Sequence, residues 1–232
     1  MRWVSYASTD GTERAGVLHE NTIHAVAGRK TLLDLLTDGT MQDAGREALA
    51  SPDEVVPLAQ AQLLAPVPRP PSIRDFMAFE THVVTSMKSL GQTVDPLWYK
   101  QPAFYFTNPA AVIGPHDPVP IAPGSRMWDY ELEMTATVNS RQYSEGTWAD
   151  QFWSFAELLA YASRGTELRP GDVIGSGTVG TGCILELSGT HGSDAYPWLQ
   201  PGDQVKLEVQ SLGAITSTVM ASPKVRPLRQ KG

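Results

Sequence analysis

The run Asp129-Tyr130-Glu131-Leu132-Glu133 carries three carboxylates at two-residue spacing. In an extended strand alternate side chains share a face, so Asp129, Glu131 and Glu133 project together. Like charges so placed repel unless a cation or solvent lies among them. Spacing alone leaves two readings. One is a site for a hard divalent ion such as Mg²⁺, Mn²⁺ or Ca²⁺, which takes all-oxygen ligands. The other is the solvated outer face of an edge strand.

Two further stretches hold residues able to do chemistry. In Ser72-Ile73-Arg74-Asp75-Phe76-Met77-Ala78-Phe79-Glu80-Thr81-His82, Asp75 falls at a loop-to-helix junction, two helical turns before His82. An Asp at a helix start is ordinarily a cap and a lone His ordinarily structural, so neither residue stands as catalytic on its own. The run Gly175-Ser176-Gly177-Thr178-Val179-Gly180-Thr181-Gly182 lets main-chain N–H groups approach an anion. It lacks the Gly-Lys-Ser/Thr of a nucleotide phosphate loop and equally suits a plain β-turn.

The bulk numbers exclude several classes. A net charge of −7 lacks the basic footprint of a sequence-independent nucleic-acid binder. No apolar run approaches the ~20 residues of a membrane span, and Met1-Arg2-Trp3-Val4-Ser5-Tyr6 reads as an alternating strand, so a cytoplasmic location is expected. One cysteine, Cys183, permits neither an internal disulfide nor a multi-thiolate metal cage, and it reads as a small buried filler.

These residues must be positioned by the elements around them. Residues 1–65 read as a small N-terminal α+β domain, with strands at Trp3 to Ala7, Ala15 to His19 and Thr22 to Val26 and helices at Thr31 to Leu36 and Met41 to Leu49. The proline-rich run Ala65 to Pro71 then opens a main domain over residues 66–232. There, Phe76 to Leu90 has helical spacing, and Phe104 to Phe106, Ala111 to Gly114 and Asp129 to Val138 read as extended. Ser154 and Glu157 form a capping box for a helix ended by Gly165. Val173-Ile174, Cys183 to Leu187, Val205 to Val209 and Ile215 to Val219 read as further strands, giving an α+β, mainly β class.

In order and company, several motifs resemble the fumarylacetoacetate hydrolase family. They are Arg74-Asp75-Phe76 with His82, Phe104-Tyr105-Phe106-Thr107-Asn108-Pro109, and Asp129-Tyr130-Glu131-x-Glu133. Leu168-x-Pro170-Gly171-Asp172-Val173-Ile174-x-x-Gly177-Thr178 and Leu199-x-Pro201-Gly202-Asp203 complete the set. The resemblance runs from Arg2 to the C-terminal strands. It implies a mixed β-roll with a smaller N-terminal domain, a homodimer, a divalent cation (Mg²⁺, or Mn²⁺ or Ca²⁺) and a small oxo-acid substrate. By motif it implies Asp75, Glu131 and Glu133 as metal ligands, His82 as the base that activates water, and Glu186 as its orienting carboxylate. Tyr105 and Thr178 would contact substrate. The reaction implied is attack of water on a carbonyl followed by C–C cleavage of a β-diketo acid, with hydration, isomerisation or decarboxylation of oxo-dicarboxylates as relatives of it.

One departure stands out. The family pattern has a long segment after Glu-x-Glu that supplies another Asp, an Arg, a Gln and a Lys. Here Glu133 runs directly into Met134 to Arg141, residues that resemble a later strand of the pattern. That leaves an active enzyme with a reduced site, a silent member that binds metal or ligand, or a sequence lacking residues of the natural protein. A different class, an interaction module using Phe104-Tyr105-Phe106, is the remaining alternative.

Overall fold

The structure is a computed structural model that describes residues 1–132 and 135–226. In chain order the strands and helices begin with β1 (Arg2–Ala7), β2 (Glu13–His19), β3 (Thr22–Ala25), α1 (Leu32–Asp38), α2 (Met41–Ala50), β4 (Val55–Pro57) and β5 (Gln62–Leu63). Next come β6 (Ile73–Phe76), α3 (Glu80–Ser89), β7 (Phe104–Thr107), β8 (Val119–Pro120), β9 (Thr135–Val138) and β10 (Arg141–Glu145). The chain ends through α4 (Phe155–Ala162), β11 (Val173–Gly175), α5 (Ile184–His191), β12 (Gln204–Val209) and β13 (Gly213–Met220). The class is α+β, mainly β.

Two compact units are present. The first comprises Met1–Asp75, Phe104–Pro115 and Leu158–Gly175. It contains an antiparallel sheet in the order β4-β3-β2-β1-β5 and a second sheet, β11-β6-β7, in which β11 and β6 run parallel. Apolar residues from β2, α1 and α2, among them Ala15, Val17, Leu32, Leu35 and Ala48, close a core against one face of the large sheet. Thr31 and Asp34 cap α1 reciprocally, and Gly39 ends it in the left-handed conformation.

The second unit comprises Phe76–Ala103, His116–Glu157 and Ser176–Gly232. Its sheet has the order β10-β9-β12-β13-β8. Val138 lies opposite Val205 and Ala136 opposite Leu207, so the period-two pattern of β9 and β12 turns one face inward. Tyr130, Leu132, Ile184 and Leu199 join that face in a single core, which ties α5 to the sheet.

Four expectations are corrected. Cys183 to Leu187 is not a strand but the start of α5. Asp75 lies inside β6, not at a helix start, and the helix that follows begins only at Glu80. Ala111 to Gly114 forms no strand, and a 3₁₀ turn at Pro109–Ala111 precedes it. Among residues 129–132 the expected strand reduces to one antiparallel bridge, Glu131 with Cys183, and regular pairing resumes at β9. The helix beginning after Ser154, with Ser154 bonded reciprocally to Glu157, matches its expected cap.

Candidate active site

His82 sits in the first turn of α3 and Glu186 in the first turn of α5. Packing between the two helices depends on Gly189, where a Cβ would fall 2.7 Å from the Ser89 Cβ and 2.2 Å from its Oγ. That approach brings His82 Nδ1 within 2.9 Å of Glu186 Oε2, with both side chains buried. An ionised carboxylate only accepts, so Nδ1–H is the donor and Nε2 keeps the lone pair. This is the tautomer a general base needs.

Glu186 owes its place to a residue distant in sequence. Asp129 Oδ1 accepts the Ile184 N–H at 2.7 Å, and Oδ2 accepts the Leu185 N–H at 2.8 Å. These are N–H groups that the first turn of a helix leaves without internal partners. Burial raises the Asp129 carboxyl pKa, while three main-chain N–H donors, from Ile184, Leu185 and Tyr130, act against the rise. Asp129 therefore serves as a helix cap supplied from outside the helix, not as one of three carboxylates on a shared strand face.

The glycine-rich loop serves the same framework. Val179 N–H donates to the Leu132 carbonyl at 3.0 Å, and Leu132 N–H donates to the Gly182 carbonyl at 3.1 Å. With the Glu131–Cys183 bridge, the loop pins the segment that presents Glu131. Gly177 has φ +85°, and a Cβ there would lie 1.9 Å from the Phe76 carbonyl oxygen, so no other residue fits. Thr178, the expected substrate contact, is buried in this loop. Glu131 itself is exposed, and among the described residues its carboxylate makes no hydrogen bond or ion pair. Glu133 lies outside the described residues.

Cys183 is also buried here, its Sγ 3.5 Å from Glu186 Oε2. Burial raises the thiol pKa, and the nearby charges of Glu186 and Asp129 raise it further. A thiol held protonated is no nucleophile at neutral pH.

In the first unit, Asp75 and Tyr105 come together. Tyr105 Oη donates to Asp75 Oδ2 at 2.8 Å, from β7 to β6. On the other side of β6, Gly175 pairs with Asp75, and a Cβ there would come within 2.8 Å of Oδ1. A side chain at residue 175 would therefore crowd that carboxylate oxygen, and glycine lets it pack against β11. Asp172 fixes the same sheet by accepting from Ser72 Oγ at 2.7 Å, with the Arg74 guanidinium at 3.8 Å.

A model of the fumarylacetoacetate hydrolase C-terminal domain matches residues 72–141 and 132–220. A second model, described as Rv2993c-like, N-terminal, matches residues 1–66. The chain belongs to the fumarylacetoacetate hydrolase family. The two matches to the family's C-terminal domain overlap, so residues 132–141 are matched twice.

Solved structures share the family fold. A probable 2-hydroxyhepta-2,4-diene-1,7-dioate isomerase from Mycobacterium abscessus superposes with a TM-score of 0.67 at 18% identity, covering 97% of this chain and 100% of that one. Maleylpyruvate hydrolase from Sphingobium sp. SYK-6, in complex with manganese (II) ion and pyruvate, gives 0.67 at 16% identity, covering 96% and 100%. At these identities the likeness establishes fold alone. An uncharacterized protein from Staphylococcus aureus is 28% identical over 89 residues, which are 38% of this chain but only 27% of that protein's length. Members of this family include hydrolases and isomerases of oxo-acids. No helix among the described residues is long and apolar enough to cross a membrane.

The Asp129 cap and the Gly189 contact had no readable signal in the sequence. The cap lies 55 residues from the helix it serves, and Gly189 sits at a position where glycine ordinarily only weakens a helix.

Proposed function

We propose that this chain is a divalent-metal-dependent hydrolase of the fumarylacetoacetate hydrolase type, cleaving a C–C bond in a β-diketo or related oxo acid. The observation that carries this reading is the buried His82–Glu186 pair, with Nδ1 bound and Nε2 left to take a proton. His82 would remove a proton from the attacking water, and Glu186 would hold the imidazolium that results. Proton return from His82 to the carbon leaving group completes the cycle.

A hard cation suits the donors the family motif nominates, since Asp75, Glu131 and Glu133 all offer carboxylate oxygens and Glu131 is exposed. When bound, Mg²⁺, Mn²⁺ or Ca²⁺ supplies positive charge against the enolate released by cleavage. Tyr105 and Thr178 are the proposed substrate contacts. Tyr105 is exposed and already polarised by its bond to Asp75. Family membership is the sole support for a homodimer.

A second reading has its own support. The double match of residues 132–141 is the pattern expected if an internal stretch of the family sequence is missing after Glu133. Loss of the cationic anchors there would leave a slower hydrolase, an isomerase, hydratase or decarboxylase of oxo-dicarboxylates, or a member that only binds. Removing a single charge-stabilising donor from such a site costs ~10²–10³ in rate. The deciding experiment is turnover of an acylpyruvate with Mg²⁺ or Mn²⁺, repeated in Glu131→Ala. Metal-dependent release of pyruvate that disappears in the variant supports the hydrolase. Metal-induced stabilisation without turnover supports the binding-only reading. Neither turnover nor stabilisation sinks both.

A further inference from the structure

His82, Cys183 and Glu186 form a donor set whose chemistry differs from that of an all-carboxylate site. A nitrogen of His82, the Cys183 Sγ and a carboxylate oxygen of Glu186 all lie within 4.8 Å of one another. Glu186 Oε2 is 2.9 Å from His82 Nδ1 and 3.5 Å from Cys183 Sγ. A tetrahedral zinc ion, with bonds of ~2.1 Å to nitrogen and oxygen and ~2.3 Å to sulfur, has ligand–ligand edges of roughly 3.4–3.6 Å. The sulfur–oxygen edge already matches, and the nitrogen–oxygen edge needs to open by about half an ångström.

The second observation is electrostatic. Glu186 is 1% exposed, and its other oxygen, Oε1, is buried with no hydrogen-bond partner among the described residues. A buried acceptor oxygen left without a donor is costly, and a cation held by the same carboxylate would offset that cost. We propose that His82, Cys183 and Glu186 bind a thiophilic divalent cation of the Zn²⁺ class and that its binding switches the His82 base off.

The proton balance is simple. Cys183 loses its S–H proton to solvent and ligates as thiolate. The Nδ1 proton of His82 moves to Nε2, so Nδ1 ligates while Nε2 becomes N–H. An imidazole with Nε2–H and Nδ1 on a cation has no lone pair with which to take a proton from water. Net, one proton is released per cation, and affinity rises with pH. Mg²⁺ and Ca²⁺, which prefer oxygen, do not compete for a set containing sulfur. The switching half rests on the hydrolase reading; the binding half does not.

The test uses the full chain stripped of metal and held in excess Mg²⁺. Titration with Co²⁺ is expected to raise a near-ultraviolet thiolate-to-cobalt charge-transfer band that saturates at one equivalent and is displaced by Zn²⁺. Cys183→Ser should lose the band and bind Zn²⁺ more weakly by at least the ~10–100-fold that even outer-shell changes cost. It should keep its response to Mg²⁺. Should that variant not fold, the zinc X-ray absorption edge of the unaltered protein decides, through one sulfur neighbour per zinc. Cobalt binding without the band, zinc without a sulfur neighbour, or equal zinc affinity in Cys183→Ser overturns the site. A band in a protein that shows no turnover leaves the site standing and removes the hydrolase reading instead.

Discussion

Asp129 and Ile184 are 55 residues apart in the chain, yet the Asp129 carboxylate accepts the Ile184 N–H at 2.7 Å and so fixes the N-terminus of the helix bearing Glu186. The same aspartate belongs to the segment that presents Glu131. One side chain thus links the approach of a nominated metal ligand to the placement of the residue that orients His82. Asp129→Ala should cost about 0.5–2 kcal/mol of stability, the range for a lost helix cap. Urea unfolding measures that. A turnover loss larger than the stability loss explains, with KM little changed, would mark displacement of Glu186; unaltered turnover in the folded variant would refute the link.

Glu186→Gln separates charge from shape. The amide keeps the side chain's volume but cannot stabilise an imidazolium, and its NH₂ can meet Nδ1 as a donor and favour the other tautomer. Turnover should fall by roughly 10²–10⁴, the range for losing general-base function, with the acid limb of the pH–rate profile displaced. Nδ1 and Nε2 chemical shifts of His82 in nitrogen-15 spectra report the tautomer directly.

The Gly189 contact makes a steric prediction. An alanine Cβ would stand 2.7 Å from Ser89 Cβ, closer than carbon atoms pack, so α3 and α5 must part. Overpacking of this kind costs about 1–3 kcal/mol, and helix propensity alone would favour alanine by up to ~1 kcal/mol. Net destabilisation in thermal unfolding, together with reduced turnover, is expected. A stabilised Gly189→Ala protein would mean the helices give way without disturbing His82 and Glu186.

The N-terminal fold was readable because its signals are local. Alternation marks β1 and β2, and Thr31 with Asp34 announces α1 within four residues. The same holds for Ser154 with Glu157. α5 was unreadable for the opposite reason. Cys183-Ile184-Leu185-Glu186-Leu187 is a short apolar run that suits strand or helix equally, the continuation Ser188-Gly189-Thr190 is poor in helix formers, and the cap comes from Asp129. Asp75 likewise looked like a cap because it precedes a helical pattern, whereas its partner in the sheet, Gly175, lies 100 residues on and is invisible locally. In the sequence, only the family resemblance ties His82 to Glu186, because the two lie 104 residues apart and no local spacing links them.

Alkaline conditions should act on the first unit through Tyr6. Burial raises its phenol pKa from 10.0 to about 12, with the positive charge of Arg14 opposing and Glu54, which accepts the phenol proton in a hydrogen bond, reinforcing. A folded-state value above the unfolded one gives a stabilisation fully present below pH 10 and lost as pH climbs towards 12. Tyr6→Phe should therefore lose less stability than the unaltered protein across that window, compared by thermal unfolding at matched ionic strength. Parallel curves would show that Tyr6 does not govern the alkaline limb.

Metal removal gives the last prediction. A cation that binds only the folded chain stabilises it by RT ln(1 + [M]/Kd), about 2.7 kcal/mol at one hundred times Kd. Mg²⁺ or Mn²⁺ should raise the unfolding temperature and a chelator should return it. Because Glu131 is exposed and its carboxylate makes no hydrogen bond or ion pair among the described residues, its side chain contributes little to the metal-free fold. Glu131→Ala should therefore leave the chelated protein's unfolding temperature nearly unchanged while removing most of the metal response. An equal drop with and without metal would assign Glu131 to the framework instead, while an intact metal response in the variant would leave it a solvated surface carboxylate.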